Sequence, residues 1–131
     1  MGQYYLAVNK KKREYICPWC LGGVAKLWEW AVNPQAAIFP ALLAKTDEGG
    51  GGDPDWGDPK VQAVFGRWAG DPVVLVGDYD SSRLYHKARE SYENISQEVG
   101  ETVSQFVGEA DGDWKVKVCS ICGKKPKETG T

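Results

Sequence analysis

Residues 3–20 read QYYLAVNKKKREYICPWC, and this stretch decides how the N-terminal part of the chain folds. From residue 3 to residue 9 the large side chains alternate between two faces, which is the period of a β-strand. The lysine run that follows predicts a turn, and residues 13–16 predict a second short strand. We therefore expect a β-hairpin whose second strand leads directly into Cys17.

The cysteines of the chain fall in two Cys-x-x-Cys pairs, Cys17 with Cys20 and Cys119 with Cys122. A Cys-x-x-Cys turn directs two thiolates at one tetrahedral ion, and glycines follow both pairs, where they let the backbone bend beneath a metal. Two such turns make a closed four-cysteine site, for which structural Zn²⁺ is the expected ion. Because 98 residues separate the pairs, the metal would join the two ends of one domain.

Other chemistry for the four cysteines remains open at this point. Iron in a rubredoxin-like site uses the same ligands. A thioredoxin-type redox pair needs only one Cys-x-x-Cys, and two disulfides suit an exported domain. Residues 1–9 lack the basic and apolar regions of a signal peptide, and no apolar run reaches the roughly 18 residues of a membrane span. We therefore expect a cytoplasmic protein with reduced thiols.

The length of 131 residues and a hydrophobic content of 42% indicate one globular domain, 1–131, of the α+β class. Helical spacing marks residues 24–32, 33–44 with Pro40 inside, 84–95 and 96–107, whereas 61–68 fits a helix or a strand. Residues 73–76 predict a buried strand. Residues 114–118 alternate up to Cys119 and predict a strand that joins the N-terminal strands in one sheet. The glycine- and aspartate-rich residues 46–59 predict a flexible loop.

Charge is distributed unevenly along the chain, although the net charge is only −2. Residues 1–30 and 115–131 together carry +7, and the middle carries −9. A basic surface beside a metal site is typical of proteins that bind nucleic acids or acidic partners. An aromatic side chain in a mobile loop, such as Trp56, can also anchor a partner. The candidate partner-binding residues are therefore Lys10, Lys11, Lys12, Arg13, Lys124, Lys125, Lys127 and Trp56.

Catalytic patterns are weak in this sequence. The run Val73 to Asp80 ends an aliphatic strand with two carboxylates, Asp78 and Asp80, which with Arg83 could hold Mg²⁺ and a phosphate. This gives an alternative function as a Mg²⁺-dependent nucleotide-binding or phosphoesterase-like protein. The chain has one histidine and no Walker loop, nucleophile elbow or dinucleotide fingerprint. We therefore favour a binding module over an enzyme.

Several distinctive stretches also carry a resemblance: Met1-Gly2-Gln3-Tyr4-Tyr5, Lys12-Arg13-Glu14-Tyr15, Gly66-Arg67-Trp68-Ala69-Gly70-Asp71, Val76-Gly77-Asp78-Tyr79 and Tyr92-Glu93-Asn94-Ile95-Ser96. In these stretches the chain resembles a group of small MGQYY-type proteins of actinobacteria, other bacteria and their phages and prophages. The resemblance implies a phage or prophage association. Together with the zinc site expected from the cysteine spacing, this association leads us to expect a zinc-stabilised module that engages a macromolecular partner, protein or nucleic acid, and inhibits a host or defence component.

Overall fold

A computed structural model describes residues 2–110, and within them four strands form one mixed sheet. The predicted hairpin is confirmed: β1 (Tyr5–Asn9) and β2 (Glu14–Ile16) pair antiparallel, with Ala7 opposite Ile16. β3 (Val73–Gly77) lies antiparallel to β1 on its other side. β4 (Glu93–Asn94) lies parallel to β2, which gives the spatial order β3-β1-β2-β4.

Helices cover both faces of this sheet. On one face, Leu6, Val8, Tyr15 and Cys17 pack against α4 (Leu84–Ser91). On the other face, the sheet packs against four of the described helices, with Trp68 fully buried between the sheet and these helices. They are α1 (Leu27–Val32), α2 (Ile38–Leu43), α3 (Pro59–Val64) and α5 (Ser96–Ala110). Alternation along the strands thus gives a separate apolar core on each side of the sheet, and the α+β prediction is confirmed.

The helix predictions hold with local corrections. The ambiguous segment 61–68 begins with a helix, α3, because Asp58 accepts a hydrogen bond from the Lys60 N–H and Pro59 occupies the first helical position. Residues 34–37 form a 3-10 turn that leads into α2. Pro40 lies in the first turn of α2, where no intrahelical bond needs its missing N–H, so it neither kinks nor ends the helix.

Two predictions about strands need correction. Residues 73–76 do form a strand, but β3 is an edge strand and Val74 is 46% exposed, so it is not the buried strand we expected. Residues 93–94 continue a helical pattern in the sequence, yet they pair with β2. The predicted strand 114–118 lies outside the described residues. Within residues 2–110, no helix is both long and apolar enough to cross a membrane.

Candidate metal centre

The first Cys-x-x-Cys pair forms a tight turn at the end of β2. Cys17 is extended, and a 3-10 turn over Pro18–Leu21 brings Cys20 back beside it, with the Cys20 N–H donating to the Cys17 carbonyl at 3.1 Å. Gly22 ends the turn with a φ of 77°, in the left-handed region that glycine adopts without strain. The Gly22 and Gly23 N–H groups donate to the Trp19 and Pro18 carbonyls at 3.2 and 3.0 Å. Gly22 thus supplies the backbone freedom that we expected glycine to give after this pair, while the bend beneath a metal stays a prediction.

A side-chain network from the start of α5 holds this turn. The Cys17 N–H donates to the Ser96 hydroxyl oxygen at 2.7 Å, and that hydroxyl donates to Asn94 Oδ1 at 2.5 Å. The Asn94 amide nitrogen lies 3.6 Å from the Cys20 sulfur, to which it donates a hydrogen bond. A donor of this kind stabilises a thiolate more than a neutral thiol, and metal-bound sulfurs commonly receive one.

Both thiols lie in the core on the α4 face of the sheet. Cys17 and Cys20 are each 1% exposed and pack in the cluster that contains Tyr15 and Tyr85. Trp19 lies within the turn and contacts Tyr4, with 5.8 Å between the ring centroids. Burial raises the pKa of the Tyr85 hydroxyl, so this phenol is neutral beside the sulfurs at physiological pH. The environment is apolar apart from a few directed donors.

The described part of the chain supplies two of the four predicted ligands. Within residues 2–110, no group of three or more His, Cys, Asp or Glu side chains is placed to hold a metal ion. Cys17 and Cys20 lie together at one turn, as predicted, whereas Cys119 and Cys122 lie outside the described residues. Two sulfurs on one turn match two of the four ligands of a tetrahedral Zn²⁺ site, and the four-cysteine site stays a prediction.

The predicted basic surface is partly neutralised where the structure describes it. Asp71 accepts a hydrogen bond from the Lys12 ammonium at 2.5 Å and forms an ion pair with the Lys11 ammonium at 3.6 Å, and its side chain is only 5% exposed. Hydrogen bonds from Lys12 and from the buried Asn9 lower the pKa of the Asp71 carboxyl. Arg13 stacks on the Tyr92 ring, 4.8 Å from its centroid. Lys10 is exposed, whereas Lys124, Lys125 and Lys127 lie outside the described residues.

Trp56 does not stand free in its loop, contrary to what its surroundings in the sequence suggest. It is half-buried and meets the edge of Phe65, with 5.9 Å between the ring centroids. Its indole nitrogen donates to Asp53 at 3.3 Å, and the Gln62 amide donates to its carbonyl at 2.8 Å. Trp56 thus attaches the loop of residues 46–59 to the domain through both its side chain and its backbone carbonyl.

The two carboxylates after β3 hold the turn that leads to α4. Asp78 accepts from the Tyr4 N–H at 2.9 Å, and its own N–H donates to the Tyr4 carbonyl. The Ser82 hydroxyl and N–H donate to Asp80 and lower the pKa of its carboxyl. Arg83 adopts a left-handed φ of 59° and precedes α4. These contacts give both carboxylates a role in the fold, and their predicted part in Mg²⁺ or phosphate binding stays a prediction.

Sequence reasoning missed a buried ionic cluster on the opposite face of the sheet. The Arg67 guanidinium donates to both carboxylate oxygens of Glu14, at 3.1 and 2.6 Å, and the Trp68 indole donates to Glu14 at 2.9 Å. The stretches that carry the resemblance meet here and nearby, since Glu93 pairs with Glu14 across the strands and Asp71 holds Lys12. The distinctive sequence of these stretches was therefore the one available indication that their residues contact one another in the fold.

Comparison of the chain with protein-family models, with curated proteins and with solved structures finds no match.

Proposed function

We propose that this protein is a zinc-stabilised interaction module, in which Cys17, Cys20, Cys119 and Cys122 hold one structural Zn²⁺. The observation that carries this proposal is the geometry of the first pair. Two buried thiols share one glycine-ended turn, and an asparagine amide donates to one of the sulfurs. Four protein sulfurs leave no coordination position for a substrate, so the metal would stabilise the fold and perform no chemistry.

The surface best suited to a partner lies directly after this turn, on the outer face of α1. Val24, Leu27, Trp28 and Val32 are 41, 54, 65 and 68% exposed, while Trp30 is buried at 3%. Trp28 and Val32 stand one helical turn apart and thus lie on one side of the helix. A cluster of large exposed apolar side chains that includes a tryptophan is typical of protein-binding surfaces. We therefore favour a protein partner, and the similarity to phage and prophage proteins is our reason for expecting a host protein.

This function is tested by capture from a bacterial lysate with three immobilised forms of the zinc-loaded chain. We compare wild type, the double variant Trp28→Glu with Val32→Glu, and the matched control Leu43→Glu. Leu43 is also apolar and 44% exposed but lies on α2. A protein retained by wild type and by the control, and lost with the α1 variant, supports the proposal. If no captured protein depends on α1, this surface is not the binding site.

A nucleic-acid partner is tested separately through the lysine turn. Changing Lys10, Lys11 and Lys12 to Ala should weaken oligonucleotide binding and flatten its dependence on salt, because each lost phosphate contact reduces the slope of log affinity against log salt by about 1. Asp71 already engages two of these lysines, so we expect a smaller effect than three contacts would give. Absence of binding by wild type at about 50 mM salt would exclude this partner class.

A further inference from the structure

Among residues 2–110, no strand pairs with the outer side of the β3 backbone. The hydrogen bond from the Asp78 N–H to the Tyr4 carbonyl fixes the alternation of the ladder, so that Val74 and Val76 bond to β1. Val73, Leu75 and Gly77 consequently point their N–H groups away from the sheet. Within residues 2–110, no hydrogen bond reaches the outward N–H groups of Val73 and Leu75. Five consecutive residues therefore offer a regular template for another strand.

This edge has little of the protection that exposed edges usually carry. Proteins block such strands with lysines, prolines or bulges, but β3 pairs with β1 over five residues in unbroken register and contains only apolar residues and a glycine. Pro72 precedes the strand, where its missing N–H removes no outward donor. A shallow groove of about 410 Å³ runs along the edge between Val74, Val76 and Leu84. Val74, which is 46% exposed, lines this groove.

The two ends of β3 carry opposite charge. The exposed Lys10 to Lys12 turn follows Asn9, which pairs with Val73, and Asp71 offsets only part of its charge. Asp78 and Asp80 follow Gly77 at the other end, and the sequence continues with one basic residue, Arg83. A strand that runs antiparallel to β3 and carries the same sequence would place its acidic end beside the basic turn. The edge is thus complementary to itself.

We propose that β3 pairs antiparallel with β3 of a second copy of this chain, forming a two-fold dimer whose continuous sheet includes the four described strands of each copy. In this arrangement Leu75 exchanges two hydrogen bonds with Leu75 of the second copy on the symmetry axis. Val73 pairs with Gly77 of the second copy, and Val74 packs against Val76 of the second copy in the groove. The contact is small, so we expect a dissociation constant on the order of tens of micromolar. This inference does not depend on the zinc site.

The test is sedimentation velocity on the full, reduced chain as purified, from about 5 to about 500 µM, a range that spans weak association. We expect the mass to rise from one chain towards two, and to rise less in high salt because the charges at the strand ends are screened. Val74→Lys should raise the dissociation constant at least about tenfold, since it places two like charges near the axis. The matched control Leu43→Lys should leave it unchanged.

Hydrogen exchange supplies a second readout that does not need a variant. The amides of Val73 and Leu75 should exchange more slowly as the protein concentration rises, while the Val74 amide, which bonds to β1 in both states, should not change. A chain that stays monomeric throughout overturns the proposal. So does a dimer that Val74→Lys leaves intact, because its contact must then lie elsewhere.

Discussion

Replacing Arg67 with Met should destabilise the protein strongly, although the Arg67 side chain is partly exposed. The substitution keeps much of the aliphatic stem but removes both hydrogen bonds to Glu14, whose side chain is only 9% exposed. Glu14 would keep the Trp68 indole as a donor and lose Arg67, the one cation that pairs with it within residues 2–110. Removing one partner of a buried ion pair costs about 3–5 kcal/mol. Because the Arg67 side chain is 20% exposed, so that water can reach the carboxylate in its place, we expect about 3 kcal/mol.

This loss is measured by urea unfolding of the zinc-loaded protein at neutral pH. A loss of about 3 kcal/mol corresponds to a fall in Tm of roughly 10 to 15 °C for a domain of this size. Lys87→Met, at an exposed position on α4, is the matched control and should change stability by less than about 0.5 kcal/mol. Combining Arg67→Met with Glu14→Gln removes the orphaned charge and should recover at least about 1 kcal/mol. The ion-pair argument is refuted if the stability losses of Arg67→Met and Glu14→Gln simply add in the double variant. It is also refuted if Arg67→Met alone is as stable as wild type.

Three further predictions concern Asp71, the acidic loop and Asn94. The pKa of the Asp71 carboxyl is lower in the folded protein than in the unfolded chain, where it is close to 3.8. The ionised carboxylate therefore stabilises the fold fully above that unfolded pKa, and this stabilisation is lost as the pH falls through the folded pKa. Asp71→Asn should accordingly reduce the loss of stability below about pH 4 that urea titrations measure. Limited proteolysis should cut between Gly49 and Asp53, because the backbone at Gly50 and Gly51 is surrounded by open space that a protease can enter. Both fragments should remain associated after the cut. A rapid loss of the whole domain after that cut would show that the loop is structural. Asn94→Ala should lower zinc affinity about tenfold in a competition assay with a chelator, and an unchanged affinity would show that the 3.6 Å contact does not tune the sulfur.

Local patterns in the sequence predicted the elements that local forces determine. Alternation identified the β1–β2 hairpin, and periodic apolar residues identified α4 and α5. The same alternation placed Cys17 at the end of β2, and the glycines after Cys20 explained how the turn closes. These features depend on residues within a few positions of one another, so one sequence is sufficient to find them.

Long-range pairing was the part that the sequence could not provide. Glu14 reads as one charge among many near the lysine turn, yet it is buried because Arg67, 53 residues away, lies against it. Glu93 and Asn94 extend a helical pattern, yet their backbone completes the sheet beside β2. For the same reason, the sequence did not predict that Asn94 and Ser96 support the cysteine turn through hydrogen bonds. In each case tertiary contacts override local preference.

The most direct test of the zinc proposal is elemental analysis of the purified full-length chain together with titration of its thiols under native conditions. We predict about one Zn²⁺ per chain and four thiols that react only after the metal is chelated. Cys17→Ser and Cys119→Ser should each abolish stoichiometric zinc and lower stability by several kcal/mol, because either change opens the site that joins residues about 100 positions apart. A folded wild-type chain without metal, in which all four thiols react freely, would contradict the account.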